Sequence, residues 1–212
     1  MLFRLLFCCL LLTCTATLRA QTFQGSLLAG GIFSQIDSDD LIGFNQFGFT
    51  GGARVVAVLS DKWRVGPEIT FSQQGSRRAP REPSNFGYEN IRLNFVEVPL
   101  MVYYKDWRIT AEAGATYGRL IDFTVEDVLG EDLTEDFFFN ENIFGLQVGA
   151  TFYFTPRVGL NFRWSRQFSA LGESPDGKRL RGRNISFRMV YTFGSGETQP
   201  EKPEEERRFE KR

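Results

Sequence analysis

Histidine is absent from the chain, and cysteine is confined to positions 8, 9 and 14. Residues 1–20 read as a secretory signal peptide. Arg4 gives a positively charged start, Leu5 to Leu12 is a short apolar run, and Ala20-Gln21 offers a cleavage point. The run is shorter than the about 20 apolar residues that a membrane-spanning helix needs. With the leader removed, no Cys and no His remain. Disulfides, thiol nucleophiles, Ser-His-Asp triads and the common zinc sites are thereby excluded, and no metal or cofactor is implied. Loss of Arg4 and Arg19 takes the formal net charge from −1 to −3, which gives no footing for nucleic acid.

Two further scarcities concern pattern. No stretch after residue 20 carries a convincing helical period, and lysine occurs only at positions 62, 105, 178, 202 and 211, all read as turns, loops or tail. What recurs is period-two alternation, at about 23–35, 45–59, 63–74, 93–104, 107–121, 143–154, 157–168 and 183–193. Strands in soluble domains run about five or six residues, whereas a tilted membrane-spanning strand needs about 9–11. On one face lie Val96, Val98, Leu100, Val102 and Tyr104; on the other lie Glu97, Pro99, Met101 and Tyr103. Likewise Val158, Leu160, Phe162 and Trp164 oppose Gly159, Asn161, Arg163 and Ser165.

Alternation alone does not say which face is wet. A soluble barrel turns the apolar face inward, and an outer-membrane barrel turns it toward lipid. Three features favour the second. The polar faces lack lysine, unlike a solvated sheet face. Trp63, Tyr104, Trp107, Phe154, Tyr191 and Phe193 stand at strand ends, as an interfacial girdle requires. Connections alternate in length, with only SDK, KD and TPR joining strands 2–3, 4–5 and 6–7. The expected fold is all-β: an eight-stranded antiparallel up-and-down transmembrane β-barrel over residues 21–194, with both termini on the short-turn side.

Pointing the polar faces inward assembles a lumen ion cluster of Arg54, Glu68, Glu97, Glu112, Arg163 and Arg188. A turn at Ser60-Asp61-Lys62 sets Arg54 opposite Glu68. A turn at Lys105-Asp106 sets Glu112 opposite Pro99, one diagonal step from Glu97. Three cations against three anions read as a plug that fixes register. The rival reading makes Glu97 and Glu112 an acid pair doing chemistry. Pro99 lacks an N–H, so it costs a ladder hydrogen bond or marks a bulge. Met101, Tyr103 and Tyr153 are expected to help fill the lumen.

The run NFVEVPLMVYY resembles the Y-x-E-x-P-L element of the PorT-like, OmpX-like small barrels of Bacteroidetes outer membranes. RVGPEITFSQQG resembles the P-E-L-x-Y-S-x-x-G strand of the same family, and ISFRMVYTFG resembles a terminal assembly-signal strand. The likeness spans about residues 22–194. It implies an eight-stranded barrel in the outer membrane of a Gram-negative bacterium and no single activity. One member type is associated with a secretion system, and no motif here carries that role over.

Residues 195–212 are charged and Pro-containing, and read as a disordered periplasmic tail, either a solvated end or a tether. Residues 122–141 hold eight acidic side chains and no basic one. They are either solvated, docked on the basic segments 75–92 and 172–183, or bound to divalent cations that bridge lipopolysaccharide, although the spacing of a Ca²⁺ loop is missing. The Phe137-Phe138-Phe139 patch points to packing against a partner or the barrel rim. The expected partners are outer-membrane lipid, lipopolysaccharide and an envelope protein. The expected function is a structural or interaction barrel with a charge-plugged lumen, acting through its outer loops. The alternatives are a narrow pore for small solutes and an accessory component of a secretion system. An enzyme is disfavoured because familiar membrane-barrel hydrolases and acyltransferases need His.

Overall fold

Each alternating run becomes one strand of a continuous antiparallel ladder. The computed structural model describes residues 22–37, 43–79, 89–127, 129–173, 177, 179–194 and 196. The expected leader, and the expected tail apart from Gly196, lie outside the described residues. In chain order the strands are β1 (Thr22–Asp37), β2 (Gln46–Val58), β3 (Trp63–Arg77), β4 (Asn90–Asp106), β5 (Ile109–Glu126), β6 (Asn142–Tyr153), β7 (Val158–Gln167), β8 (Gly172–Glu173) and β9 (Arg179–Thr192). The barrel order is β1 through β7, then β9, and pairing of β1 with β9 closes it. Eight strands therefore form the wall. β8 pairs only with the loop-end residues of β9 and stands outside the ring.

Burial follows the alternation. Arg64, Gly66, Glu68, Thr70 and Ser72 of β3 are buried, while Trp63, Pro67, Ile69 and Phe71 are exposed. Exposed apolar side chains on every barrel strand form a band suited to hydrocarbon, and closure leaves no unpaired edge in it. We expect heat-modifiable electrophoretic migration and β-rich circular dichroism in detergent. A soluble monomer that needs no detergent would overturn the outward assignment of the apolar face.

Short connections gather at one end. The β2–β3 turn is as expected, with Leu59 N donating to Trp63 O at 3.0 Å, and Arg54 sits opposite Glu68. The β4–β5 hairpin corrects the expected register. It turns at Trp107-Arg108, two residues later, so Asp106 faces Ile109, Tyr103 faces Glu112 and Pro99 faces Thr116. The β3–β4 ladder runs on past the expected turn, Lys105 N donating to Lys62 O at 2.8 Å. Trp107 takes φ 52°, which suits the primed turns that two-residue hairpins favour, and Arg108 lies 5.5 Å from its ring centroid. Lys105 is thereby a buried residue at the end of β4 rather than a turn residue.

Proline interrupts the ladders locally. Between Pro67↔Leu100 and Thr70↔Glu97 the β3–β4 pairing lapses, where Pro99 would be opposite Glu68. The missing N–H thus costs ladder bonds, while the bulge lies elsewhere, between Asn94 and Phe95. That bulge leaves both Ile121 and Asp122 exposed on β5 and restores Val125 to the inside. The three strands β3, β4 and β5 run well past the expected ends at the long-loop side.

Candidate functional site

The lumen is filled in layers. Toward the short turns, Ser26 and Thr192 hydroxyls meet at 3.0 Å, and Arg54 Nη2 donates to Tyr153 Oη at 3.0 Å and to Ser26 Oγ at 3.4 Å. The Arg54 guanidinium also lies 5.0 Å from the Tyr103 ring centroid.

Arg163 of β7 organises the next layer. Its Nη1 and Nη2 donate to Glu68 Oε2 and Oε1 at 2.7 and 2.9 Å, a fork-to-fork pair across the barrel. Its Nε donates to Glu112 Oε1 at 2.6 Å, and Nη1 also donates to Gln147 Oε1 at 3.0 Å. Tyr103 Oη donates to Glu68 Oε1 at 2.6 Å, and Asn161 Nδ2 to Glu112 Oε1 at 2.9 Å. Arg188 reaches this layer through Asn161 Oδ1, at 3.1 Å from Nε and 2.6 Å from Nη2, and stands 3.8 Å from Glu68 and 3.9 Å from Glu112. Close approach here depends on Gly149, where an added Cβ would come within 3.0 Å of both Glu112 Oε1 and Arg163 Cα.

Arg54, Glu68, Glu112, Arg163 and Arg188 are thus brought together, with altered pairings. Arg54 faces Glu68 in register, but its ion pair is with Glu112, at 3.9 Å, while Glu68 takes Arg163. Glu97 stands apart. It is opposite Gly118, six positions along β5 from Glu112, or about 20 Å of strand. The expected diagonal approach of Glu97 and Glu112 does not occur. The acid-pair geometry goes with it.

Glu97 belongs to a polar layer one level outward. Its Oε2 accepts from Ser72 Oγ at 2.8 Å and from Gln74 Nε2 at 3.3 Å. Gln167 Nε2 donates to Gln74 Oε1 at 3.3 Å, and Gly182 N donates to Gln167 Oε1 at 3.1 Å, so the chain of bonds crosses to β7 and β9. Gly118 leaves room beside it, since a Cβ there would meet Ile143 at 2.8 Å and Glu97 Cγ at 3.2 Å.

Above that layer the lumen becomes apolar. Ile36, Ile91, Leu93, Phe95, Leu120, Val125, Ile143, Leu171 and Leu180 form one buried cluster, covered by Phe123, Leu133, Phe137 and Phe139. Of the Phe triplet, 137 and 139 pack on this cap, while Phe138 is 88% exposed. The cap was not anticipated from sequence, although one signal was available: from Phe95 back to Ile91, β4 is apolar on its inner face, where Glu97 had made that face polar. Asn161, Gln147, Ser72 and Gln74, also missed, carry no charge and so lack a mark distinguishing them from other inward polar residues.

The six named aromatics, Trp63, Tyr104, Trp107, Phe154, Tyr191 and Phe193, are 37–50% exposed at the short-turn end. Ring pairs join Trp63 to Tyr104 at 5.0 Å and Tyr191 to Phe193 at 5.5 Å. A second set, including Phe33, Phe47, Phe49, Tyr117 and Phe144, marks the opposite rim. In the acidic segment Glu141 pairs with Arg119 at 2.9 Å, and Glu126 accepts from Asn90 Nδ2 at 2.9 Å. Among the described residues, no group of three or more potential ligands is placed to hold a metal ion.

The sequence family described as "Outer membrane protein beta-barrel domain" matches residues 5–193. No curated protein matches. Among solved structures, Ail, the attachment invasion locus protein of Yersinia pestis, is 15% identical with a TM-score of 0.49, over 80% of this chain and 98% of that one. Neisserial surface protein A is 16% identical with a TM-score of 0.48, over 81% and 97%. OprG from Pseudomonas aeruginosa is 10% identical with a TM-score of 0.44, over 82% and 97%.

Proposed function

The chain belongs to the outer membrane protein β-barrel domain family and resides in the outer membrane of a Gram-negative bacterium, and from that premise we propose that it is a sealed, non-conducting barrel that acts through its outer loops. The supporting observation is the double closure of the lumen. Arg163 spans it from β7 to Glu68 on β3, and the apolar cluster around Phe95 covers the loop end. Eight strands leave an interior that side chains can fill. Here every level is occupied by charge pairs, amide bonds or hydrocarbon.

The reading is of a non-enzymatic protein. Both carboxylates of the ion layer are engaged by Arg163, and Glu97 is buried among amide and hydroxyl donors beneath the cap. Its finer placement among the PorT-like, OmpX-like barrels of Bacteroidetes rests on the NFVEVPL and RVGPEITFSQQG elements. The surfaces left for interaction are the long connections, where Leu129 and Phe138 stand exposed, and an envelope protein and lipopolysaccharide are the partners proposed for them.

Purified protein in a planar bilayer tests the seal. We expect no long-lived conductance steps at physiological salt. Stable openings of uniform size would replace this reading with a solute pore.

A further inference from the structure

We propose that the outward wall of β7 and β9 at the loop end binds a phosphorylated lipid headgroup of the outer leaflet through Arg166, Arg181 and Arg183. The proposal rests on the orientation adopted above, with the long connections outside.

Arg166 and Arg183 are direct cross-strand partners on the outward face, an arrangement that destabilises a sheet when nothing lies between the charges. Arg183 is partly satisfied: Nε lies 3.0 Å from Asp37 Oδ1, Nη2 donates to Gln35 Oε1 at 3.0 Å, and the guanidinium sits 5.4 Å from the Phe44 ring centroid. Arg166 is exposed and, among the described residues, makes no side-chain hydrogen bond or ion pair. Arg181 is the next outward residue of β9 toward the loops, and its Nε is buried without an acceptor. Asp37, which Arg183 reaches, is also the cross-strand partner of Arg181 on β1. Farther out, Arg179 is opposite Glu173.

The surroundings identify the ligand class. Arg166 does not rise from a loop. Leu146 is its cross-strand partner on β6, Trp164 precedes it on the same outward face of β7, and Phe168 follows it. The site is therefore the upper border of the lipid-facing band. An arginine on the lipid face of a barrel is costly at mid-bilayer and nearly free of cost at the interface, so these side chains mark the headgroup level. The anions at that level are lipid phosphates, and guanidinium pairs with phosphate in bidentate geometry. Acyl chains of the same lipid would lie along Leu146, Trp164 and Phe162 below. A free phosphate would gain nothing from that apolar flank, which favours the lipid as the source.

The test uses the whole barrel in phosphatidylcholine nanodiscs containing lipid A, either phosphorylated or enzymatically dephosphorylated. Retained lipid is read by native mass spectrometry. The wild type should keep phosphorylated lipid A, and the Arg166→Gln/Arg181→Gln variant should keep it roughly tenfold less, as expected for loss of charge-assisted contacts. Equal retention of dephosphorylated lipid A, or equal retention by the variant, overturns the site. Displacement by inorganic phosphate alone at low millimolar concentration overturns the lipid as its ligand. Orientation is read separately, by labelling a Leu129→Cys variant on intact cells with a membrane-impermeant maleimide. Absence of labelling overturns the loop-outside reading. Labelling together with phosphate-independent retention overturns only this inference.

Discussion

Arg163→Ala should lower the stability of the barrel in detergent by about 3–5 kcal/mol, the loss expected when one partner of a buried ion pair is removed. The expectation is at the upper end of single-substitution effects because Arg163 serves two anions at once. Its removal strands Glu68 and Glu112 in a lumen where neither is reached by water, and leaves Arg188 and Arg54 at 3.8–3.9 Å as distant compensation. Glu68→Ala should also destabilise, since it leaves Arg163 half-satisfied and deprives Tyr103 Oη of its acceptor. The double variant should lose less than the sum of the two, because the second substitution removes a charge that the first had already stranded. Glu97→Gln supplies the contrast. Its hydrogen-bonding partners are Ser72 and Gln74, and among the described residues no cation lies in ion-pair contact with it, so an amide that keeps the acceptor should shift stability by less than about 1 kcal/mol. Unfolding midpoints of the refolded variants measure all of these. Additive losses at Arg163 and Glu68, or a Glu97→Gln loss as large as that of Arg163→Ala, would show that the pairing across the lumen is not what holds this layer.

Phe95→Ala should have the second largest effect, about 3–5 kcal/mol, the range for truncating a fully buried phenylalanine. Phe95 is fully buried in the cap, beside Leu93 and Leu120. Strands β3–β5 extend past the lipid band, so the void would open among residues that neither lipid nor a shifted strand can refill. Phe138→Ala deletes the same side chain from a position 88% exposed in the loop, where the effect should stay within about 0.5 kcal/mol. Equal shifts in the two variants would mean that the cap is not a packed core. Amide exchange should agree, with Val125 and Ile143 losing protection in the Phe95→Ala protein alone.

Much of this architecture could be read from local pattern. Period two assigns most strand residues to a face, those past the β5 bulge excepted, and absence of lysine, placement of aromatics and alternation of connection lengths say which face meets lipid. Parity is robust, which is why Glu112 still points inward after the β4–β5 hairpin moves by two residues on each strand. The position of that turn was hidden because it places a tryptophan at φ 52°, whereas Lys105-Asp106 is the more polar pair.

What the chain by itself determined is therefore which residues face the lumen, and near which level. The tertiary structure alone decided who meets whom inside. Arg54 and Glu68 are adjacent across one ladder, yet Glu68 takes Arg163 from the far wall and Arg54 turns to Tyr153 and Glu112. The physical reason is closure. Bending eight strands into a ring this narrow brings β3 and β7 face to face, so long side chains reach across it more directly than along the wall, and no local sequence pattern encodes that diameter. The apolar cap follows the same logic, since Ile36, Phe95, Leu171 and Leu180 come from separate strands and a loop and become one core only when the ring is shut.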